Sequence, residues 1–137
     1  MAKLPSGLSD IIDDEEDLAR FLNQSGQFTT LTVKPSAFLP SPRSGTTSVF
    51  RHGSEPRTSL WLLFSEHVSV DLIPYGAAIV KASQVRAVGL EVSPVEPPPR
   101  HADISGWASL EIDPDRGKAQ RKEQALLLAQ QAVLVRY

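Results

Sequence analysis

The stretch PPPRHADISGW, residues 97–107, is the most informative part of the sequence for the fold. A rigid run of prolines is followed at once by a segment in which polar and apolar residues alternate. The prolines at 97–99 have no backbone N–H donor, so they cannot pair inside a sheet, and we expect a polyproline II connector there. From His101 onward the period becomes two, which puts His101, Asp103 and Ser105 on one face and Ile104 on the other. The pattern predicts a strand whose Ile104 faces the core, closed by Trp107.

Outward from this stretch, several short segments have the β-branched or alternating composition of strands and are bounded by proline, glycine or serine. The predicted strands are 27–33, 46–52, 77–82, 90–95, 101–105 and 133–137. The proline-rich segment 34–45 between the first two is predicted to be a loop, with Phe38 tucked over the core.

Helical spacing marks three further segments. Leu18, Phe21 and Leu22 stand at i, i+3 and i+4 behind an acidic run and ahead of Gly26, which predicts a first helix capped at that glycine. A second is predicted from the turn at 53–56, with a buried stripe at Leu60, Leu63, Phe64 and His67. A third begins at Asp113 and Pro114, an N-cap and a first-turn proline. Its predicted inner face is Ala119, Leu126, Leu127, Ala129 and Val133.

These elements predict an α+β fold: a small mixed or antiparallel sheet of about five strands, packed by two to three helices. The length of 137 residues allows one hydrophobic core. We therefore expect a flexible tail over residues 1–8 and a single domain over 9–137.

Composition restricts the function classes. The net charge of −2 argues against a dominant phosphate-binding surface, although the cations near the start of the third helix leave nucleic-acid binding as a weaker option. The absence of cysteine excludes disulfides and thiolate chemistry and fits a reducing cytoplasm, where we expect the protein to act. No apolar run is long enough to cross a bilayer, and no motif for a cofactor is present, so no membrane association and no cofactor are expected.

Two arginine–histidine pairs carry the candidate chemistry: Arg51-His52 and Arg100-His101, the second followed by Asp103. If their strands are neighbours, these side chains converge on one polar surface. The leading hypothesis is a non-enzymatic binding or accessory module, because rigid proline-rich loops present side chains at low entropic cost. The predicted ligand- or partner-binding residues are Phe38, Arg51, His52, Arg100, His101, Asp103 and Trp107.

An enzymatic alternative uses the same groups. Two histidines that flank a phosphate can exchange protons with it, so His52 and His101 would serve as acid and base of a metal-independent nuclease or other phosphodiester-acting enzyme. Arg51 or Arg100 would stabilise the developing charge. A metal triad of His52, His101 and Asp103 is a weaker hypothesis, since no metal-binding motif supports it, and no metal is expected.

Segments 34–40, 49–52, 85–90 and 97–107 together resemble a group of small uncharacterised bacterial proteins that share a PPPRHADI-x-GW-like segment. The resemblance covers most of the chain after about residue 30. It implies a bacterial accessory protein of the cytosol and carries no function, ligand or site residue with it. The partner, a protein or a small molecule, and the oligomeric state stay open.

Overall fold

The computed structural model describes residues 2–52, 57–67 and 75–136. Within these residues, six strands form one open antiparallel sheet in the order β4-β5-β2-β1-β3-β6. The strands are β1 (Asp17–Leu22), β2 (Thr47–Arg51), β3 (Gly76–Lys81), β4 (Glu91–Pro94), β5 (His101–Ser105) and β6 (Val133–Arg136); the helices are α1 (Arg57–His67), α2 (Ala82–Ala87) and α3 (Pro114–Gln131). The α+β prediction is therefore confirmed, with six strands where about five were expected.

Helices lie on both faces of the sheet. On one face α2, α3 and the 3₁₀ turn Pro35–Ala37 enclose the larger core. Its central side chains are Leu18, Leu22, Phe38, Val49, Val80, Ile104 and Leu128, all 1% exposed or less. Burial of this apolar surface is the main stabilising contribution to the fold.

On the opposite face α1 covers a smaller apolar cluster. Leu60, Leu63 and Phe64 of α1 pack on alternate residues of the middle strands, chiefly Phe21 and Phe50. Phe21 meets Phe64 edge-on at 5.2 Å between ring centroids and lies 5.4 Å from Phe50. Of the predicted helix stripe, Leu60, Leu63 and Phe64 are confirmed as buried. The side chain of His67, the fourth member of the stripe, and the predicted N-cap lie outside the described part of the chain.

Strand β1 was predicted as a helix, and that prediction is wrong. Leu18 and Leu22 face the larger core while Ala19 and Phe21 face α1. A strand covered on both sides needs apolar residues on both faces, so its sequence loses the alternation that identifies half-buried strands. The spacing of Leu18, Phe21 and Leu22 then imitates a helical stripe, and no helix ends at Gly26.

Segment 27–33 and the prolines at 97–99 also differ from expectation. Instead of a strand at 27–33, the chain forms a 3₁₀ turn, Ser25–Gln27, and an isolated bridge from Phe28 to Val33. Instead of a polyproline II connector, residues 97–100 form bends and a turn that joins β4 to β5. Tertiary pairing overrides the local propensity of both segments.

Other predicted elements are confirmed, with boundaries shifted by one or two residues. Beta strands lie at the predicted places for β2, β3, β4, β5 and β6. Helix α3 begins as predicted, because Asp113 accepts a hydrogen bond from the Arg116 N–H at 3.1 Å. Its inner face is only partly as predicted. Ala129 is buried, but Ala119, Leu126 and Leu127 are exposed, and Val133 is an exposed residue of β6. The buried residues of α3 are Gly117, Gln124, Ala125, Leu128 and Ala129.

Residues 9–16 form an arm without regular structure that three cations hold against the sheet. Arg51 of β2 binds Glu16, Arg86 of α2 binds Asp14 at 2.5 Å, and Lys81 of β3 lies 3.8 Å from Glu15. Ahead of the arm, residues 3 and 9 form an isolated bridge, and Ser6 donates to Glu96 at 2.6 Å. The flexibility of residues 1–8 stays a prediction.

Candidate functional site

Pairing of β2 with β5 brings the two arginine–histidine pairs together. Phe50 stands opposite His101, and the Arg51 N–H donates to the Arg100 carbonyl at 2.7 Å. The Arg100 guanidinium in turn donates to the carbonyls of Arg51 at 2.8 Å and His52 at 3.3 Å. The two pairs are therefore adjacent in space, but their side chains lie in different environments.

Arg51 is an interior residue that is 1% exposed. Its Nε and Nη2 donate to the two carboxylate oxygens of Glu16 at 2.5 and 2.9 Å, and its Nη1 donates to the Ser9 carbonyl at 2.6 Å. This bidentate geometry is the strongest form of arginine–carboxylate pairing. The donors of Arg51 are thus occupied within the chain, and its observed role is to fasten the arm to β2.

Three other residues predicted to bind a ligand are also buried. His52 is 7% exposed, Trp107 is 8% exposed and Phe38 is fully buried. Phe38 and Trp107 belong to the larger core, and the Phe38 carbonyl accepts a hydrogen bond from Thr47 Oγ1 at 2.7 Å. In this structure none of the three offers its side chain to a ligand from solvent.

Of the two histidines whose side chains the structure describes, His101 is the more exposed, and its ring orientation is fixed. Its Nδ1 lies 2.9 Å from the Val95 carbonyl, which can only accept, so Nδ1 carries a hydrogen. In the neutral ring Nε2 is then the acceptor, and Ser48 Oγ donates to it at 2.6 Å. The ring also packs edge-on against Phe50 at 5.4 Å. Backbone, serine and phenylalanine together hold one tautomer and one ring position.

Asp103 completes a polar patch with His101. Its Oδ1 lies 3.6 Å from the same Nε2 that accepts from Ser48, and in the sheet it stands opposite Ser48 on β2 and Ser93 on β4. Residues directly opposite in an antiparallel pair point to the same face. Ser48, Ser93, His101 and Asp103, called here the β2–β5 polar patch, therefore share the face of the sheet on which α1 lies.

The patch is partly accessible to solvent. Ser48 and Ser93 are exposed, while the side chains of His101 and Asp103 are 12% and 25% exposed. The alternation predicted for β5 is confirmed, because Ala102 and Ile104 on the other face are fully buried. The patch is unlike a serine–histidine–aspartate triad: Asp103 shares Nε2 with the serine, and a carbonyl orients Nδ1.

Arg20 supports Ser48 from the neighbouring strand. Only Leu18 and Ala19 of β1 pair with β2, and beyond them the Arg20 guanidinium spans the two strands by donating to the Ser48 carbonyl at 3.0 Å. Its Nε donates to the Ala37 carbonyl at 2.8 Å. Burial lowers the pKa of Arg20 from its usual value. On the side of β2 that faces β1, the backbone at Ser48 is thus held by a side chain, while on the other side it pairs with Asp103 of β5.

Arg100 lies beside the patch in the turn before β5. Its φ of 68° is in the left-handed region, which costs a non-glycine residue about 1–2 kcal/mol. The bonds to the carbonyls of Arg51 and His52 hold it there, together with its N–H, which donates to Glu96 at 3.3 Å. Arg100 also lines a shallow depression with α1 residues Ser59, Leu62, Leu63 and Glu66.

Glu96 receives hydrogen bonds from both sides of that turn. Desolvation by partial burial acts to raise the pKa of Glu96, but the hydrogen bonds from Ser6 Oγ, Ser6 N–H and Arg100 N–H outweigh it and lower the pKa overall. Glu96 is therefore a carboxylate that the native turn stabilises in its charged form.

Ser48, like Ser93, is a patch residue that the sequence did not reveal. It stands in a run of small polar residues, Thr46-Thr47-Ser48, with nothing to distinguish it. Its position depends on the register that sets Ser48 opposite Asp103 and two pairs away from His101, on the same face of the sheet. Cross-strand register is not written in either segment alone.

Metal binding and membrane insertion have specific structural requirements. Across residues 2–52, 57–67 and 75–136, no three histidine, aspartate or glutamate side chains come close enough to hold a metal ion. In the same part of the chain, no helix has the length and apolarity needed to cross a membrane.

Comparisons with known proteins returned no relative. No protein-family model, no curated protein and no solved structure matches this chain.

Proposed function

We propose that this chain is a small binding module whose ligand is held by the β2–β5 polar patch. The observation that supports this proposal is the hydrogen bond of 2.6 Å from the exposed Ser48 to His101, whose ring is itself fixed by the Val95 carbonyl. Fixed polar groups on a rigid sheet lose little conformational entropy on binding. As in the sequence-based hypothesis, the role is that of an accessory protein, and the reducing cytoplasm is the compartment we propose.

The chemistry of the patch indicates the type of ligand. The Asp103 carboxylate accepts only, and neutral His101 accepts at Nε2. The serine hydroxyls can both donate and accept. With His101 neutral, the patch carries one negative charge, so a small ligand or peptide end with amine or hydroxyl donors complements it. Arg100, at the edge of the patch, extends the surface towards α1.

NMR can test this proposal directly. We would titrate the ¹⁵N-labelled protein with a panel of small amines, polyols and amino acids and follow the backbone amide shifts. The expected result is a saturable shift confined to 48, 93 and 101–103. Replacing Ser48 by Ala together with His101 by Gln should abolish it, while the exposed control Ser36→Ala should retain it. Shifts that survive the double substitution, or a panel that moves no patch amide, would reject the proposal.

A second candidate is hydrolysis with Ser48 as the nucleophile. A serine within hydrogen-bonding reach of a histidine that a third group orients is the arrangement of an activated nucleophile. Ser48 Oγ would attack an ester carbonyl and give its proton to His101 Nε2, which returns it to the leaving alcohol; water then releases the acyl group. The two-histidine phosphodiester mechanism has weaker support, because His52 is 7% exposed.

A fluorophosphonate probe and two chromogenic substrates separate these chemistries. Hydrolysis of p-nitrophenyl acetate together with probe labelling at Ser48, both lost in Ser48→Ala, would establish the serine mechanism. Cleavage of bis-p-nitrophenyl phosphate that is lost in His52→Ala but kept in Ser48→Ala would instead favour the two-histidine enzyme. No turnover and no labelling would leave the binding module as the function of the patch.

A further inference from the structure

Helix α3 carries a small groove on the face of the molecule away from α1. Apolar side chains of Leu39, Pro40 and Leu110 form one wall, and the cations of α3 form the other: Lys118, Arg121 and Lys122. The groove encloses about 160 Å³. A protein cavity of about 150 Å³ accommodates benzene, so this groove has room for one apolar side chain of similar size.

The walls of the groove are well defined. Gly117 brings α3 against the segment that contributes Leu110: a Cβ at this position would lie 2.3 Å from the Ser109 carbonyl and 2.8 Å from Leu110 Cδ2. Arg121 Nε donates to the Ala108 carbonyl at 2.7 Å, which fixes the base of its guanidinium at the rim. The groove is therefore held by close packing and a hydrogen bond, and it is not a gap between mobile loops.

The three cations of the rim have no counter-ion among the described residues. Arg51, Lys81 and Arg86 form ion pairs. No carboxylate of a described residue reaches ion-pairing distance of Lys118, Arg121 or Lys122.

The position of these cations is also unfavourable for the helix itself. Lys118 and Lys122 are four residues apart on α3, a spacing at which like charges on a helix face repel each other. An anion bound at the rim would relieve this repulsion. The charge of this surface thus complements a negatively charged partner.

We propose that this groove docks an acidic peptide segment of a partner protein that carries one large apolar side chain. The apolar side chain fills the space between Leu39 and Leu110, and flanking aspartates or glutamates pair with Lys118, Arg121 and Lys122. A nucleic acid fits less well, because none of the described residues that line the groove has an aromatic side chain to stack on a base. This surface is separate from the β2–β5 polar patch, and its test is independent of the function proposed there.

Fluorescence anisotropy with a labelled peptide tests the proposal. The probe is a fluorescein-labelled heptapeptide with one phenylalanine between three acidic residues on each side, compared with the same peptide with serine in place of phenylalanine. We expect saturable binding of the first peptide and at least about tenfold weaker binding of the second, since apolar burial supplies a large part of the affinity.

Charge-matched variants test the location. Lys118→Glu with Lys122→Glu should weaken binding at least about tenfold, while Lys3→Glu with Lys34→Glu changes the net charge equally at exposed sites elsewhere and should weaken it less than about twofold. Thermal unfolding by circular dichroism verifies that both variants fold.

Several outcomes would overturn the proposal. An equal loss of peptide affinity in the two double lysine-to-glutamate variants would mean non-specific electrostatic attraction. Equal affinity for the phenylalanine and serine peptides would mean that the groove does not bind an apolar side chain. Tighter binding of a twelve-nucleotide oligothymidylate that Lys118→Glu with Lys122→Glu abolishes would identify a nucleic-acid surface instead. If no peptide binds but light scattering shows self-association that this variant abolishes, the occupant is a second copy, whose exposed Ile11 lies between acidic residues.

Discussion

The two arginine–histidine pairs have the same composition and lie side by side, yet one is buried and the other lies at the surface of the sheet. Arg51 and His52 point into the protein, where Arg51 binds Glu16 and His52 is almost fully buried. Arg100 and His101 lie at a turn and a strand face, where His101 meets solvent beside Ser48. The role of each pair follows from its burial and its register in the sheet. The shared Arg-His dipeptide therefore does not predict the role of either pair.

The largest effect that this comparison predicts is at Arg51. Arg51→Met leaves the Glu16 carboxylate without its bidentate partner in a mostly buried position, and we expect a loss of about 3–5 kcal/mol in the free energy of unfolding, measured by urea titration. Adding Glu16→Gln should recover part of the loss. Arg86→Met, which breaks more exposed ion pairs, is the control and should cost about 0–1 kcal/mol. Equal losses would contradict the contrast.

A smaller effect is expected at Arg100. Arg100→Ala removes hydrogen bonds to the carbonyls of Arg51 and His52 but keeps the left-handed backbone, so it should cost about 1–2 kcal/mol. Arg100→Gly loses the same bonds and adopts a positive φ freely, and it should be about 1 kcal/mol more stable than Arg100→Ala. A glycine variant no more stable than the alanine variant would show that the backbone at 100 relaxes.

The smallest effect concerns acid sensitivity near Arg100. The native turn lowers the pKa of Glu96, so this carboxylate stabilises the fold above the pKa of the unfolded chain, and the contribution is lost as pH falls through the lower native value. Glu96→Gln should flatten the decline of the urea midpoint below about pH 4.3. Ser6→Ala, which removes one donor to Glu96, should flatten it less. If the urea midpoint of both variants declines at low pH as steeply as that of the unmodified protein, Glu96 does not contribute to acid sensitivity.

The sequence predicted the fold class and most element positions, because turns, caps and the alternation of β5 are local features. It failed at β1, where Leu18 and Phe21 serve opposite faces of a sheet covered on both sides. It also placed Leu126 and Leu127 on the inner face of α3, while Gln124 and Leu128 are buried there. Apolar composition alone does not fix the rotation of that helix.

The candidate site was predictable only in part. His101 and Asp103 follow from the alternation of one strand and do lie on a shared open face. Ser48 could not be found, because it comes from another strand and its meeting with His101 depends on register. The burial of Arg51 was equally hidden, since its partner Glu16 stands 35 residues away in a segment that resembled a helix start.

The arm over residues 9–16 has a consequence for the order in which the protein assembles. Three residues hold the arm in place: Arg51 of β2, Lys81 of β3 and Arg86 of α2. The arm therefore cannot form these contacts until those elements have folded. The Glu16 N–H donates to the Asp13 carbonyl, and the Ser83 N–H donates to the Asp14 carbonyl. In native-state hydrogen exchange, these two amides should open at a lower free energy than the amides of β1 and β3. The arm would then dock after the sheet and α2 have formed.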